Sequence, residues 1–278
     1  MLDGRENITV LIRDDGSTDK TRDILSDYEG REGFRILYGE NVGLNESLQI
    51  LFTQADPECL YYAYADQDDV WLPNKLSLAT AALEKESATA PVMYTARSYL
   101  IDKEGNRIGV TRMPRRAPSF PNAMVQNICI GHTQVYNRPM LALLRDSYSD
   151  DMLVTDHWAY LLASAFGKIV YDSTPTTLYR QHGSNAIGYG HNLRTVLRNR
   201  FRRARAGVPR AHAKQLAAFM AVFGERLSPR DKAEASRFLE AEKTLFSRLA
   251  YLFRARAYRQ SLFEDLGFRI LYLLGKYK

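Results

Sequence analysis

The sequence predicts an α/β fold, a sheet of buried strands flanked by helices, continued by a helical segment of different character. Three observations predict it. Short apolar runs alternate with helical stretches from about residue 8 to residue 190. Two acidic turns, RDDGSTD at 13–19 and ADQDD at 65–69, each follow such a run, where open α/β sheets bind their ligands. Beyond His191 the β-branched residues thin out and patterns rich in Arg, Ala and Leu take over.

The elements follow in order. ITVLIR (8–13) reads as a short buried strand closed by the polar turn DDGSTD. Thr18 is placed to cap a helix that continues over 20–29. FRILYG (34–39) is a second strand, and ENVGLNES turns the chain into a helix over 44–54. CLYYAYAD (59–66) is a third strand that ends in an acidic cluster. Residues 72–86 carry a helical apolar period, with Leu76 and Leu83 on one side. PVMYTARSYL (91–100) is a strand, and DKEGNRIG a hairpin-like turn. Three prolines and three arginines in TRMPRRAPSFP (111–121) predict a loop. NICIGHTQVYN (127–137) returns to strand character, MLALLRD (140–146) forms a short helix, and 155–166 a longer one. KIVYDS (168–173) is a strand, and TLYRQHGSNAIG (177–188) passes from strand to loop. A boundary near residue 190 divides a domain at 1–190 from a basic helical extension at 191–278.

Composition narrows the function classes. The 278 residues, 45% hydrophobic and 25% charged, suit a folded chain with one large domain and an appendage. Two cysteines, Cys59 and Cys129, sit in apolar surroundings without metal-ligand spacing. They read as buried thiols in a reducing compartment, not as a disulfide scaffold. No signal-peptide pattern is visible and no apolar run approaches the ~18 residues of a membrane span, so a cytoplasmic location is expected. The net charge of +6 conceals a split: 18 basic against 25 acidic residues in 1–190, and 20 against 7 in 191–278. Such asymmetry suggests that the tail meets nucleic acid or anionic membrane. RTVLRNRFRRARAG (194–207) can contact phosphates, yet the tail has no helix-turn-helix signature, zinc spacing or aromatic platform, which disfavours nucleic acid. LFSRLAYLFRARAY (245–258) mixes arginines with Leu, Phe and Tyr as an interfacial helix does. That pattern would suit a peripheral place on the inner face of the plasma membrane. A tail packed on the first domain, its arginines in water, fits equally.

The stretch YAYADQDDVW packs Asp66, Asp68 and Asp69 into four positions after a strand. Like charges this close are tolerated in a water-facing turn, or beside a cation or several donors. Asp66 and Asp68, as Asp-x-Asp, can reach one small region across a tight turn. A hard divalent cation, Mg²⁺ or Mn²⁺, takes such oxygen ligands and bridges to phosphates; a helix-capping turn is the alternative. In the first acidic turn, Asp14 and Asp15 can accept hydrogen bonds from a nucleobase or ribose while Gly16 allows a sharp bend. Capping of the next helix explains them as well. The turn is neither a GxxxxGK[ST] phosphate loop nor a GxGxxG fingerprint.

Six segments in order carry a resemblance: IRDDGSTDKT (12–21), ENVG (40–43), ADQDDVWLPNK (65–75), QNICIGHTQVYNR (126–138), TDHW (155–158) and TLYRQHGSNAIG (177–188). Over about residues 8–190 the chain resembles the inverting glycosyltransferases of family 2, with the GT-A fold, and among them the bacterial rhamnosyltransferase-type members. The resemblance implies a GT-A-like nucleotide-sugar-binding mixed sheet and a metal-dependent transfer to a saccharide or lipid-linked saccharide in cell-surface polysaccharide synthesis. It points to L-rhamnose from dTDP-L-rhamnose, with UDP-sugars open. Asp14 and Asp15 then correspond to the nucleotide-pocket carboxylates, Asp66 to a ribose or metal contact, and Asp68 to a ligand of Mg²⁺ or Mn²⁺. His182 corresponds to the third metal-site residue, or to a structural hydrogen-bonder. Trp71 lies under a sugar or at the core edge; Arg180 neutralises diphosphate or pairs with the acidic turn. Asp156 corresponds to the catalytic base, and His157 is its rival because many relatives carry His before the Asp where this chain has Thr155. One departure concerns the start. Relatives usually place a further strand, turn and helix before the DDGS segment, whereas this chain begins MLDGRENITV. An unaccompanied neighbouring strand is then expected to expose backbone groups. A non-catalytic membrane- or partner-binding protein derived from a shortened glycosyltransferase is the alternative function.

Overall fold

In the computed structural model, which describes residues 7–181 and 207–277, the strands fall into two sheets. β1 (Val10–Asp15) and β2 (Phe34–Gly39) are parallel, with Val10 opposite Phe34 and Asp15 opposite Gly39. A parallel pair needs a crossover, and α1 (Thr21–Ser26) lies within it. α2 (Leu44–Gln54) follows. β3 (Tyr61–Ala63), β4 (Val70–Trp71), β5 (Val92–Ile101), β6 (Arg107–Val110), β7 (Val135–Asn137) and β8 (Lys168–Arg180) make the second sheet. Its order is β3-β7-β5-β8-β4, with β6 beside β5. The β5–β8 pair is parallel and the other pairs are antiparallel. Between strands run α3 (Lys75–Leu83), α4 (Phe120–Ala123), α5 (Arg138–Arg145) and α6 (Thr155–Phe166). The C-terminal part is helical: α7 (Val208–Phe223), α8 (Pro229–Glu240), α9 (Leu245–Arg254) and α10 (Leu262–Leu273). This is the mixed, helix-flanked sheet of a GT-A-like fold with a C-terminal helical extension.

The core explains why α6 sits where it does. Its run from His157 to Ala163 is buried without a break, and a helix apolar all round belongs in an interior. Trp158 packs edge-on against Phe219 of α7, 5.4 Å between ring centroids, and its Nε1 donates to Ser147 Oγ at 3.0 Å. Phe120 and Phe166 meet Phe219 as well, at 5.8 and 6.0 Å. Gln215, also on α7, accepts from the Leu153 amide at 2.9 Å and faces His157 Nδ1 at 3.2 Å. The extension therefore shares one core with α6. On the opposite side, α3 covers Val92, Tyr94 and Val135 with Ala79 and Leu83.

Several elements depart from the sequence-based expectation. The first strand is Val10–Asp15, not 8–13, so it carries Asp14 and Asp15. The expected strand 127–137 is mostly irregular: a 3₁₀ turn spans Gly131–Thr133, and only Val135–Asn137 pairs as strand. His132, Thr133 and Gln134 are buried there, and each side chain makes a hydrogen bond outside any strand ladder, His132 through Nε2 alone. Thr133 Oγ1 bonds Thr95 Oγ1 at 2.7 Å, and Gln134 Nε2 donates to the Cys129 carbonyl at 2.6 Å. Side chains thus replace the ladder that a regular strand would supply. Strand character at 168–173 and from 177 belongs to one continuous β8, whose register against β5 shifts where Pro175, lacking an amide donor, stands opposite Arg97. The boundary expected near residue 190 lies outside the described residues.

β1 pairs only with β2 among the described residues. Val10, Leu11 and Ile12 stay only half-buried, although parallel strands are ordinarily covered on both faces.

Phe219 is the joint between the two parts of the core. Replacing it by alanine is expected to cost about 3–5 kcal/mol, read as a lower urea midpoint with the slope unchanged.

Candidate active site

The acidic turn is built by backbone contacts from the end of β8. The Arg180 amide donates to Asp69 Oδ1 at 2.9 Å, and its Nε donates to the Asp68 carbonyl at 3.1 Å. Its Nη1 reaches the carbonyls of Asp102 and Lys103 at 3.3 and 3.0 Å. Arg180 is thus a strut that ties the turn to the β5–β6 hairpin.

Facing the turn is His132, buried on the 3₁₀ segment. Its Nε2 bonds Ser98 Oγ of β5 at 2.8 Å. Its Nδ1 lies 2.9 Å from Asp69 Oδ2 and 3.8 Å from Asp66 Oδ2. Ligand atoms of Asp66, Asp69 and His132 all fall within 4.8 Å of one another. Among the described residues, neither Asp69 Oδ2 nor His132 Nδ1 has a hydrogen bond of proper geometry, although both are buried. Convergent donors without aligned partners are what a cation site needs, and two carboxylates with one imidazole suit a divalent ion. Burial works to lower the His132 pKa, but the two carboxylates outweigh it and hold it above the ordinary value. A cation there competes with that proton.

Lys75, at the start of α3, is fully buried behind this group. Its Nζ donates to the His132 carbonyl at 2.6 Å and lies 4.6 Å from the centre of the Trp71 ring. Desolvation brings its pKa down to about 7, against the pull of Asp69 and Asp66. Trp71 itself is half-buried on β4 and paired with β8.

Asp156 enters from the first turn of α6. Its Oδ2 accepts from the Gly131 amide at 3.0 Å, while Oδ1 is buried without a hydrogen-bond partner among the described residues. Desolvation raises its pKa to about 6, with the Asp66 charge adding to the rise. Gly131 is required here: a Cβ would stand 1.3 Å from Tyr64 Oη. One turn therefore carries His132 to the acidic cluster and, a residue earlier, holds Asp156. His157 points elsewhere. It is buried, with Nε2 2.6 Å from the Ala123 carbonyl and Nδ1 facing Gln215, and burial drives its pKa down to about 4.

The carboxylates of the first turn are engaged within the fold. Asp14 accepts from the Ser17 amide at 3.2 Å and from Arg22 Nε at 2.7 Å; the hydrogen bond with Ser17 leads in lowering its pKa. Asp15 pairs with Arg13 and accepts from the amides of Val42 and Gly43, both at 3.0 Å. Burial raises its pKa, and those bonds outweigh it, leaving it lowered. Gly16, at φ +81°, brings its Cα against the Asn41 amide, where a Cβ would stand at 2.7 Å.

The structure brings Asp66, Trp71, Arg180 and Asp156 into one region. Asp68 lies on the same turn but is not part of the three-residue cluster, and His182 lies outside the described residues. Asp69, His132, Lys75 and Gly131 were given no role by the sequence reading. The available signal was the HTQ triplet, three polar residues in an otherwise apolar run.

Comparison with known proteins follows the same lines. A family model described as Glycosyl transferase family 2 matches residues 2–145. An uncharacterized glycosyltransferase of Nostoc sp. is 35% identical over 194 residues, covering 64% of this chain and 57% of that protein. An uncharacterized protein of Mycobacterium tuberculosis is 27% identical over 195 residues, covering 68% and 53%. The chain thus spans about half the length of the curated relatives it matches. Among solved structures, S. aureus TarS 1–349 in complex with UDP covers 97% of this chain and 79% of its own, at 14% identity and a TM-score of 0.50, a likeness of fold.

If Asp66, Asp69 and His132 hold a cation, Asp69→Asn and His132→Ala should each weaken Mn²⁺ binding roughly 10–100-fold or more. Titration calorimetry reads this, with Asp68→Asn, on the same turn, measured in parallel. Affinity should also fall as pH drops, because protonation of His132 removes a ligand. Equal losses at Asp68 and Asp69 would move the site along the turn.

Proposed function

The chain belongs to glycosyl transferase family 2, and from that premise we propose that it transfers a sugar from a nucleotide-sugar donor to a hydroxyl of a saccharide or lipid-linked saccharide. The observation that carries this reading is Asp156, whose free Oδ1 stands beside a convergent Asp–Asp–His group. A divalent cation, Mg²⁺ or Mn²⁺, bound by that group would supply Lewis-acid stabilisation of the nucleoside diphosphate as it leaves.

The chain's own residues do the rest. Asp156 takes the proton of the attacking hydroxyl, for which a carboxylate must come within about 2.6–3.2 Å. Its raised pKa suits it to receive that proton near neutral pH. One displacement from the face opposite the leaving group inverts the anomeric carbon, so one base suffices and no protein nucleophile is needed. Asp68 and His182 are proposed to face the diphosphate and its cation. Asp14 and Asp15 are proposed to line the base and ribose side, with Asp66 between ribose and cation. Arg180 and Trp71 are proposed at the diphosphate and sugar. For the donor we propose dTDP-L-rhamnose, on the resemblance of the six ordered segments. A cytoplasmic protein resting peripherally on the inner face of the membrane would meet a lipid-linked acceptor there.

Asp156→Asn keeps shape and removes basicity. It should lower kcat by about 10²–10⁴ while donor affinity changes little. In the parent protein kcat should rise with pH through about 6, because the base works only when deprotonated; the variant should lose that rise. The parallel variant is His157→Ala, measured alongside its unfolding transition. A near-normal kcat in Asp156→Asn with a folded but inactive His157→Ala would refute the assignment.

A further inference from the structure

α9 and α10 are apolar on two faces. Their inner faces contribute Tyr251, Phe268 and Tyr272 to the core. Their outer faces carry a second stripe at helical spacing: Phe246, Leu249 and Phe253 on α9, and Leu262, Leu266 and Ile270 on α10. Phe246 is 82% exposed, Phe253 92% and Leu262 78%. The two helices lie side by side. Arg269 Nη1 donates to the Leu252 carbonyl at 3.1 Å, and the Arg248 guanidinium covers Gly275 beyond the end of α10. Both inner faces enter one aromatic cluster, and both stripes look away from it. Nine large apolar side chains between Leu245 and Leu274 are exposed, a concentration of the kind that marks an interaction surface.

The charges beside the patch select its partner. Within residues 241–277 the exposed charged side chains are Lys243, Arg254 and Lys276, all basic. The acids of this segment are half-buried and turned inward. Glu264 accepts from Gln126 Nε2 at 3.1 Å, and Asp265 is bound by Arg269 Nε at 2.8 Å and the Arg259 amide at 2.9 Å. No helix among the described residues is long and apolar enough to cross a membrane. An apolar stripe whose own segment exposes only cations suits a surface of hydrocarbon beneath anionic headgroups.

We propose that the outer face of α9 and α10 is a docking surface for an anionic lipid bilayer, with Phe246 and Phe253 entering the interface and Lys243, Arg254 and Lys276 meeting the headgroups. The inference gives a surface to the peripheral placement proposed above, and it rests on that reading only for its purpose.

The test is sedimentation of the whole chain with vesicles of phosphatidylglycerol and phosphatidylcholine, and with phosphatidylcholine alone. The expected result is binding to the anionic vesicles that weakens as salt rises. The double variant Phe246→Ser, Phe253→Ser should lower that binding roughly tenfold or more; both side chains are exposed, so the fold should survive. Equal binding to both vesicle types, or no loss in the variant, overturns the proposal. So does binding to neither, above all if the parent chain forms a dimer in solution that the variant does not. No donor, cation or acceptor enters the assay, so its failure leaves the transfer reading standing, and a failure of transfer leaves this surface standing.

Discussion

The fold around the site depends on keeping several charges out of water. Asp69, His132 and Lys75 are buried in one place, an arrangement that is costly without compensation. Each compensating contact fixes an element. The Arg180 amide on Asp69 fastens the end of β8 to the acidic turn. Ser98 on His132 fastens β5, and Lys75 on the His132 carbonyl fastens α3. The elements that meet at the cluster are therefore held by the charges they shelter. Two atoms, Asp69 Oδ2 and His132 Nδ1, are left without aligned partners. Asp156 Oδ1, on α6, is left the same way, and a site with such convergent unmatched atoms is arranged for a further ligand and not simply for stability.

Much of this was legible in the sequence because it is local. The acidic turn follows a strand, and its three carboxylates within four positions demand a compensating partner. Asp156 opens a helix whose span, 155–166, is the same in sequence and structure. His132 was not legible for a physical reason. Its partners Asp66, Asp69, Ser98 and Lys75 are distant in sequence, and the apolar residues around it gave the segment strand character. What made it a turn was burial of side-chain hydrogen bonds, and hydropathy does not register whether a polar residue finds a partner. The same limit applies to Asp14 and Asp15. Their spacing suited a ligand or a cap, and tertiary contacts with Arg22, Arg13 and the 42–43 amides engaged them within the fold.

The C-terminal helices show the converse. Their basic charge was plain in the composition, but charge alone separates neither a solvated face from a binding face nor an appendage from a core element. α7 is a core element: Phe219 touches rings from α4 and α6, so part of the extension completes the first domain's interior. α9 and α10 differ, since each has an apolar inner face already used and an apolar outer face left over. Periodicity reports that a helix is amphipathic. Only a structure shows that one apolar face has been consumed and a second remains.

The arrangement at Gly131 joins the candidate cation site to the candidate base. The amide of Gly131 holds Asp156 Oδ2, and the next residue presents its imidazole to the acidic turn. The backbone between them is confined: a side chain at 131 would strike Tyr64 Oη, and the following carbonyl is held by Lys75. A shift of His132 toward or away from the carboxylates must then be accommodated in a turn whose preceding residue anchors Asp156. The geometry of the candidate base and that of the candidate cation site are set by the same few backbone atoms. Orientation contributes to rate only when the reacting groups are held relative to one another, and here a single short turn, wedged between an aromatic side chain and a buried amine, supplies the common reference.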